Sequence, residues 1–128
     1  MTRQIARFLA AGGIAAAANW GSRIAFSHWM PFEAAVVAAY LVGMAIAFVL
    51  MRAFVFAAGE RPVAVQAGRF ALVNVAALAQ TFLVSVLLAR WILPALGVDD
   101  HAEAIAHLVG VAVPVATSFV GHRAYSFR

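Results

Sequence analysis

Cysteine is absent from this 128-residue chain, and so is lysine, the nine basic residues all being arginine. Without thiols there is no disulfide, no thiolate metal site and no cysteine nucleophile. Charge of either sign is scarce, at 11% of residues, and acid is scarcer still. Glu33 is placed to cap the start of a helix, and Glu60, Asp99, Asp100 and Glu103 fall in loops or at ends. A mid-membrane carboxylate, which proton-coupled transporters normally use, is therefore missing. No catalytic triad, nucleotide loop or metal box is recognisable, so neither enzymatic chemistry nor a cofactor is expected. What fills the chain is apolar: 66% of residues are hydrophobic and the mean hydropathy is +0.95. A soluble domain of this size leaves too much of its chain exposed to hide that surface. The formal charge of +4 could suit nucleic acid, but the arginines flank apolar runs and form no stripe. They read as membrane-edge residues, and no nucleic-acid partner is expected.

The chain repeats itself. Phe48-Val49-Leu50-Met51-Arg52-Ala53-Phe54-Val55-Phe56 returns as Phe119-Val120-Gly121-His122-Arg123-Ala124-Tyr125-Ser126-Phe127, and the opener Arg7-Phe8 returns as Arg69-Phe70. A period of this size marks a duplicated supersecondary unit. A bilayer core of roughly 30 Å needs about 20 helical residues, and four stretches offer that: about 5–29, 33–56, 67–92 and 102–121. The breaks are Ser27–Pro31, the glycine, charge and proline cluster Gly59-Glu60-Arg61-Pro62, and Pro94–Asp100. The first stretch opens like a signal peptide, yet it is too long and aligns with the third through the Arg-Phe opener, so it is expected to be retained. The expected fold is all-α integral membrane, four transmembrane helices as two helical hairpins. Residues 1–128 form a single transmembrane domain, with repeat 1 at about 5–56, a linker at about 57–66 and repeat 2 at about 67–128.

Orientation follows from the arginines. Arg3, Arg7, Arg52, Arg61, Arg69, Arg123 and Arg128 fall on one side of this topology, and only Arg23 and Arg90 on the other. The positive-inside rule then puts the linker and both termini in the cytoplasm, with the hairpins as parallel repeats about an axis along the membrane normal. Trp20, Trp29 and Trp91 mark the outer interface. Aligning Arg52 with Arg123 pairs Ala39, Gly43 and Ala47 with Gly110, Pro114 and Ser118, small or kinking residues one helical turn apart. Such stripes let helices approach closely, within a subunit or across a dimer. Two similar stripes in one chain predict a homo-oligomer, most simply a dimer. Pro114 is expected to loosen the fourth helix locally.

The Arg-Phe opener, Asn19 after it, and a second helix ending in Phe-x-x-x-Arg-x-aromatic-x-Phe resemble the GtrA-like family over nearly the whole chain. The family's Asn-Arg-Phe-Trp-x-Phe type motif corresponds here to Met51-Arg52-Ala53-Phe54-Val55-Phe56 and to His122-Arg123-Ala124-Tyr125-Ser126-Phe127. Arginine and the last phenylalanine occur twice, while asparagine is replaced by methionine and histidine, and Thr81 takes the place of Asn19. The resemblance implies a bacterial inner-membrane protein of cell-surface polysaccharide synthesis, one that flips a polyprenyl-phosphate-linked sugar across the bilayer. An alternative within it is a non-transporting anchor for a membrane glycosyltransferase. A small multidrug-type exporter matches in size and helix count, but that family carries a glutamate midway along its first span, where this chain has alanines and Asn19.

On that resemblance Arg52 and Arg123 are the candidates for binding lipid phosphate, because a guanidinium fork grips phosphate with paired hydrogen bonds. The plain alternative is that both are interface anchors. Asn19 and Arg23 share a helix face and, with Gln80 and Thr81 in the third span, are candidates for lining the sugar's path. For Asn74, Gln80 and Thr81 the competing use is hydrogen bonding between helices. His28, His101 and His107 lack ligand spacing, and no metal site is expected.

Overall fold

The structure, a computed structural model, describes residues 1–56 and 59–128; Ala57 and Ala58 of the expected linker lie outside it, as do the side chains of Glu103, His107 and Val111. Among the described residues there is helix and no strand. The chain divides into two compact units, Met1–Val63 with Phe127–Arg128, and Ala64–Ser126.

The first unit is a helical hairpin of α1 (Thr2–Phe26) and α2 (Phe32–Leu50), the latter running on into a five-residue π-helical turn, Met51–Val55. Alanine-rich sequence without proline carries α1 through 25 residues. It stops at Ser27, whose amide and hydroxyl both return to the Arg23 carbonyl, and Pro31 then sits at the N-cap of α2 with extended ψ. The seam is made of small residues: Ala11 and Ala15 of α1 and Ala35, Ala39 and Gly43 of α2 are buried. At Gly43 the backbones come so close that a Cβ would lie 2.8 Å from Asn19 Cβ and 3.1 Å from the Ala15 carbonyl oxygen. The expected small-residue stripe therefore packs α2 onto α1 within one hairpin. Phe127 adds the aromatic closure of this unit. It is 1% exposed, stacked on Phe48 and Phe56 at centroid distances of 5.6 and 5.5 Å, and its carbonyl accepts from Gly59 N–H at 2.8 Å.

The second unit, from Ala64, opens on α3 (Val63–Leu87), continued by a π turn at Leu88–Ile92 and a last helical turn, α4 (Leu93–Ala95). The helix thus runs a few residues past the expected end at about 92 and stops after Ala95, inside the Pro94–Asp100 break. A proline in a helix clashes with the carbonyl four residues back and withholds one N–H; the wider π turn just before Pro94 accommodates both. The helix ends instead in a Schellman motif, with Gly97 at φ 78°, Gly97 N–H on Pro94 O and Val98 N–H on Leu93 O. Then α5 (Ala102–Gly121) follows, continuous through Pro114, and closes in a π turn at His122–Ser126. Gly110 of α5 lies against Ser85 and the Thr81 carbonyl of α3, repeating the close approach of the first unit.

Three segments are long and apolar enough to cross a membrane: Phe32–Val55, Val63–Ala95 and Ala104–Ser126. At about 1.5 Å per residue the 33 residues of Val63–Ala95 extend well beyond the hydrocarbon core. Helix α1, at 25 residues, is long enough to span but is diluted by Asn19, Ser22, Arg23 and glycine, and does not reach that apolarity.

Candidate functional site

The repeated motif has one backbone form in both copies. Arg52 and Arg123 each lie second in a five-residue π turn that ends the second helix of their unit. Such turns are rare, and they cluster at functional positions. A helix end also leaves its last carbonyls without backbone partners, and here the opener of the same unit supplies them. In the first unit Gln4 Nε2 donates to Val55 O at 3.1 Å and Arg7 Nη1 to Phe54 O at 3.4 Å. In the second, Arg69 Nη1 donates to Tyr125 O at 3.2 Å with its guanidinium 4.6 Å from the centre of the Tyr125 ring. Opener and closer are therefore one latch, built twice. Arg7 and Arg69, read from sequence as charges at a membrane edge, are capping residues. The signal for this role is the longer repeat Gln4-x-x-Arg7-Phe8 and Gln66-x-x-Arg69-Phe70.

The copies differ beneath the arginines. In the first unit Met51 and Val55 are buried, and Phe8 meets Phe56 edge-on at 6.2 Å. In the second the matching positions hold a buried polar pair, with His122 Nδ1 and Ser126 Oγ 2.9 Å apart. The His122 ring stacks on Phe70 at 4.4 Å, and Gln66 is wholly buried. The motif alignment marks His122 as a replacement for asparagine, but the burial of His122, Ser126 and Gln66 is not visible in hydropathy.

The other site candidates divide between the units. In the first, Asn19 packs at the Gly43 crossing, while Arg23 sits one turn on at the hairpin bend, its guanidinium 5.4 Å from the Phe32 ring centre. In the second, Gln80 Oε1 accepts from Thr117 Oγ1 at 2.7 Å, a bond between α3 and α5. The Thr81 carbonyl faces Gly110. Asn74, expected to bond between helices, instead donates to Phe70 O of its own helix at 2.9 Å. Gln80 and Thr117 line a cleft of about 180 Å³ with Val73, Ala76, Ala77, Ser118 and Gly121. Among the described residues no three His, Asp or Glu side chains converge; His107 lies outside the described side chains.

No curated protein and no solved structure matches the chain significantly. A family does: the GtrA/DPMS transmembrane domain matches residues 7–127, from the first arginine of the latch to the last phenylalanine of the second motif. With that match over nearly its full length, and with its apolar helices, the chain is a multi-pass membrane protein of the GtrA/DPMS family.

Proposed function

We propose that this protein translocates a polyprenyl-phosphate-linked sugar across the bacterial inner membrane, with Arg52 and Arg123 engaging the phosphate. Membership of the GtrA/DPMS family links it to glycosylation or lipid-linked sugar handling. The observation that carries the finer reading is the doubled latch. An arginine is set twice into a π turn whose end is braced by a second cation, Arg7 or Arg69. A generic anchor needs no such bracing, whereas a bidentate phosphate contact needs a guanidinium held in a defined direction. In this reading α1 is a fourth span despite its polar positions, both termini are cytoplasmic, and the protein works as a dimer. Asn19, Arg23, Gln80 and Thr81 lie along the sugar's path, and no covalent chemistry is performed.

The test is the sidedness of a lipid-linked sugar in vesicles holding the purified protein. Arg52→Ala with Arg123→Ala is expected to slow movement roughly tenfold or more, as loss of charge-assisted bonds to a phosphate would. Unchanged movement would rule out the phosphate role. A second reading, an anchor for a membrane glycosyltransferase, draws on the apolar face of α3, where Leu72, Val75, Leu78, Phe82 and Leu83 are exposed. Copurification of such an enzyme, with no lipid movement by the protein alone, would favour it.

A further inference from the structure

We propose that the second unit, and not the first, carries a binding cleft for a single sugar ring of the lipid-linked ligand. The inference rests on the translocation reading and gives its sugar a place. Its basis is the cleft of about 180 Å³ lined by Val73, Ala76, Ala77, Gln80, Thr117, Ser118 and Gly121. Aligning the repeats on Gln4 with Gln66 and on Arg52 with Arg123 shows how it arises. Where the second unit has Ala76, Thr117 and Gly121, the first has Ile14, Ile46 and Leu50, and where the second has Gln80 the first has Ala18. Three bulky aliphatic side chains have become two small residues and a hydroxyl, and an alanine has become an amide. Ile46 against Thr117 both opens space and adds a hydroxyl, Ala18 against Gln80 adds an amide, and Val73 stands where the first unit has Ala11.

The chemistry of the lining suits a sugar. The Thr117 hydroxyl has the nearer acceptor in Gln80 Oε1 at 2.7 Å and a second in the Pro114 carbonyl at 3.2 Å, and with its oxygen so engaged the Gln80 amide turns its nitrogen's two N–H donors to acceptors in the cleft. The Thr117 hydroxyl retains lone pairs, and Ser118 adds a hydroxyl that both donates and accepts. Val73, Ala76 and Ala77 supply apolar wall for the C–H face of a ring. The volume lies below the roughly 300–1,000 Å³ of drug-sized sites, room for one ring and not for an oligosaccharide. The lining is tight at Gly121, where a Cβ would lie 3.0 Å from Val73 Cγ1.

The first repeat supplies the variants. Gln80→Ala with Thr117→Ile installs the residues of Ala18 and Ile46 and removes the polar pair. Val73→Ala with Gly121→Leu installs the residues of Ala11 and Leu50 and fills the cleft with a larger aliphatic side chain. Binding is measured in lipid nanodiscs for a polyprenyl phosphate bearing glucose, mannose or arabinose, for the same polyprenyl phosphate without sugar, and for each free monosaccharide. The wild type is expected to prefer at least one sugar-bearing lipid about tenfold over the bare lipid, on the scale of one or two hydrogen bonds. Both variants are expected to lose that preference while binding the bare lipid as before, which also shows that they are folded. Competition by a free monosaccharide that disappears in the variants supports the cleft, with the ring itself as the recognised group. If the second variant does not fold, the first decides. A sugar preference left intact in a folded variant overturns the cleft and leaves the translocation reading standing. Failure of the wild type to bind any of the lipids overturns both.

Discussion

Replacing Gly43 with alanine should force α1 and α2 apart. The added Cβ would start 2.8 Å from Asn19 Cβ and 3.1 Å from the Ala15 carbonyl oxygen, and neither atom is the free end of a flexible side chain. Ordinary contact begins near 3.4 Å, so the helices must separate by about half an ångström along a seam of Ala11, Ala15, Ala35 and Ala39. Overpacking of this kind costs about 1–3 kcal/mol, against about 1 kcal/mol gained from putting alanine for glycine in a helix. The control is Gly12→Ala in the same hairpin, where a Cβ meets nothing within 4 Å. The propensity gain is common to both variants, so the difference between them isolates the packing cost at about 1–3 kcal/mol. Denaturant or thermal unfolding of the purified protein in detergent, followed by helical circular dichroism, reads it directly. Equal stability of Gly43→Ala and Gly12→Ala would refute the close crossing.

The latch predicts an asymmetry between the repeats. Arg69→Ala removes both a carbonyl bond and a contact with the Tyr125 ring and should cost about 1–2 kcal/mol after allowance for solvent exposure. Arg7→Ala, with a longer and exposed bond alone, should cost about half a kcal/mol or less; equal losses in the same unfolding assay would contradict the geometry. The buried pair in the second unit gives a double-mutant test. His122→Met leaves Ser126 Oγ buried without the partner it has at 2.9 Å, a penalty of about 1–3 kcal/mol. Adding Ser126→Val, which recreates Met51 and Val55, should recover most of that loss, and additive losses would show that the pair is not coupled.

Much of the architecture was legible because hydropathy and charge are properties of composition along the chain. The duplicated motif, the helical hairpins and the bend at Ser27–Pro31 all follow from local preference and from the cost of exposing apolar surface. Local pattern places the break at Pro94–Asp100 but not the exact stop, because a neighbouring π turn absorbs the proline clash and carries the helix to Ala95. Helix α1, read from sequence as a span, carries enough polar residues to fall below the apolarity of the other three.

Of the candidate site, the sequence by itself determined the identity and doubling of Arg52 and Arg123, since a repeat in register is visible without coordinates. It also determined that membrane-embedded helices would pack through small residues, since those are what close approach in lipid requires. Only the tertiary structure decided that Arg7 and Arg69 serve as caps, because a bond from a side chain to a carbonyl some fifty positions away depends on where the helix ends meet. It likewise decided that Gln80 bonds Thr117 beside a cleft while Asn74 turns back on its own helix. The same polar residue type means a site or a plain internal bond according to what faces it, and what faces it is set by packing between helices, not by the chain's local pattern.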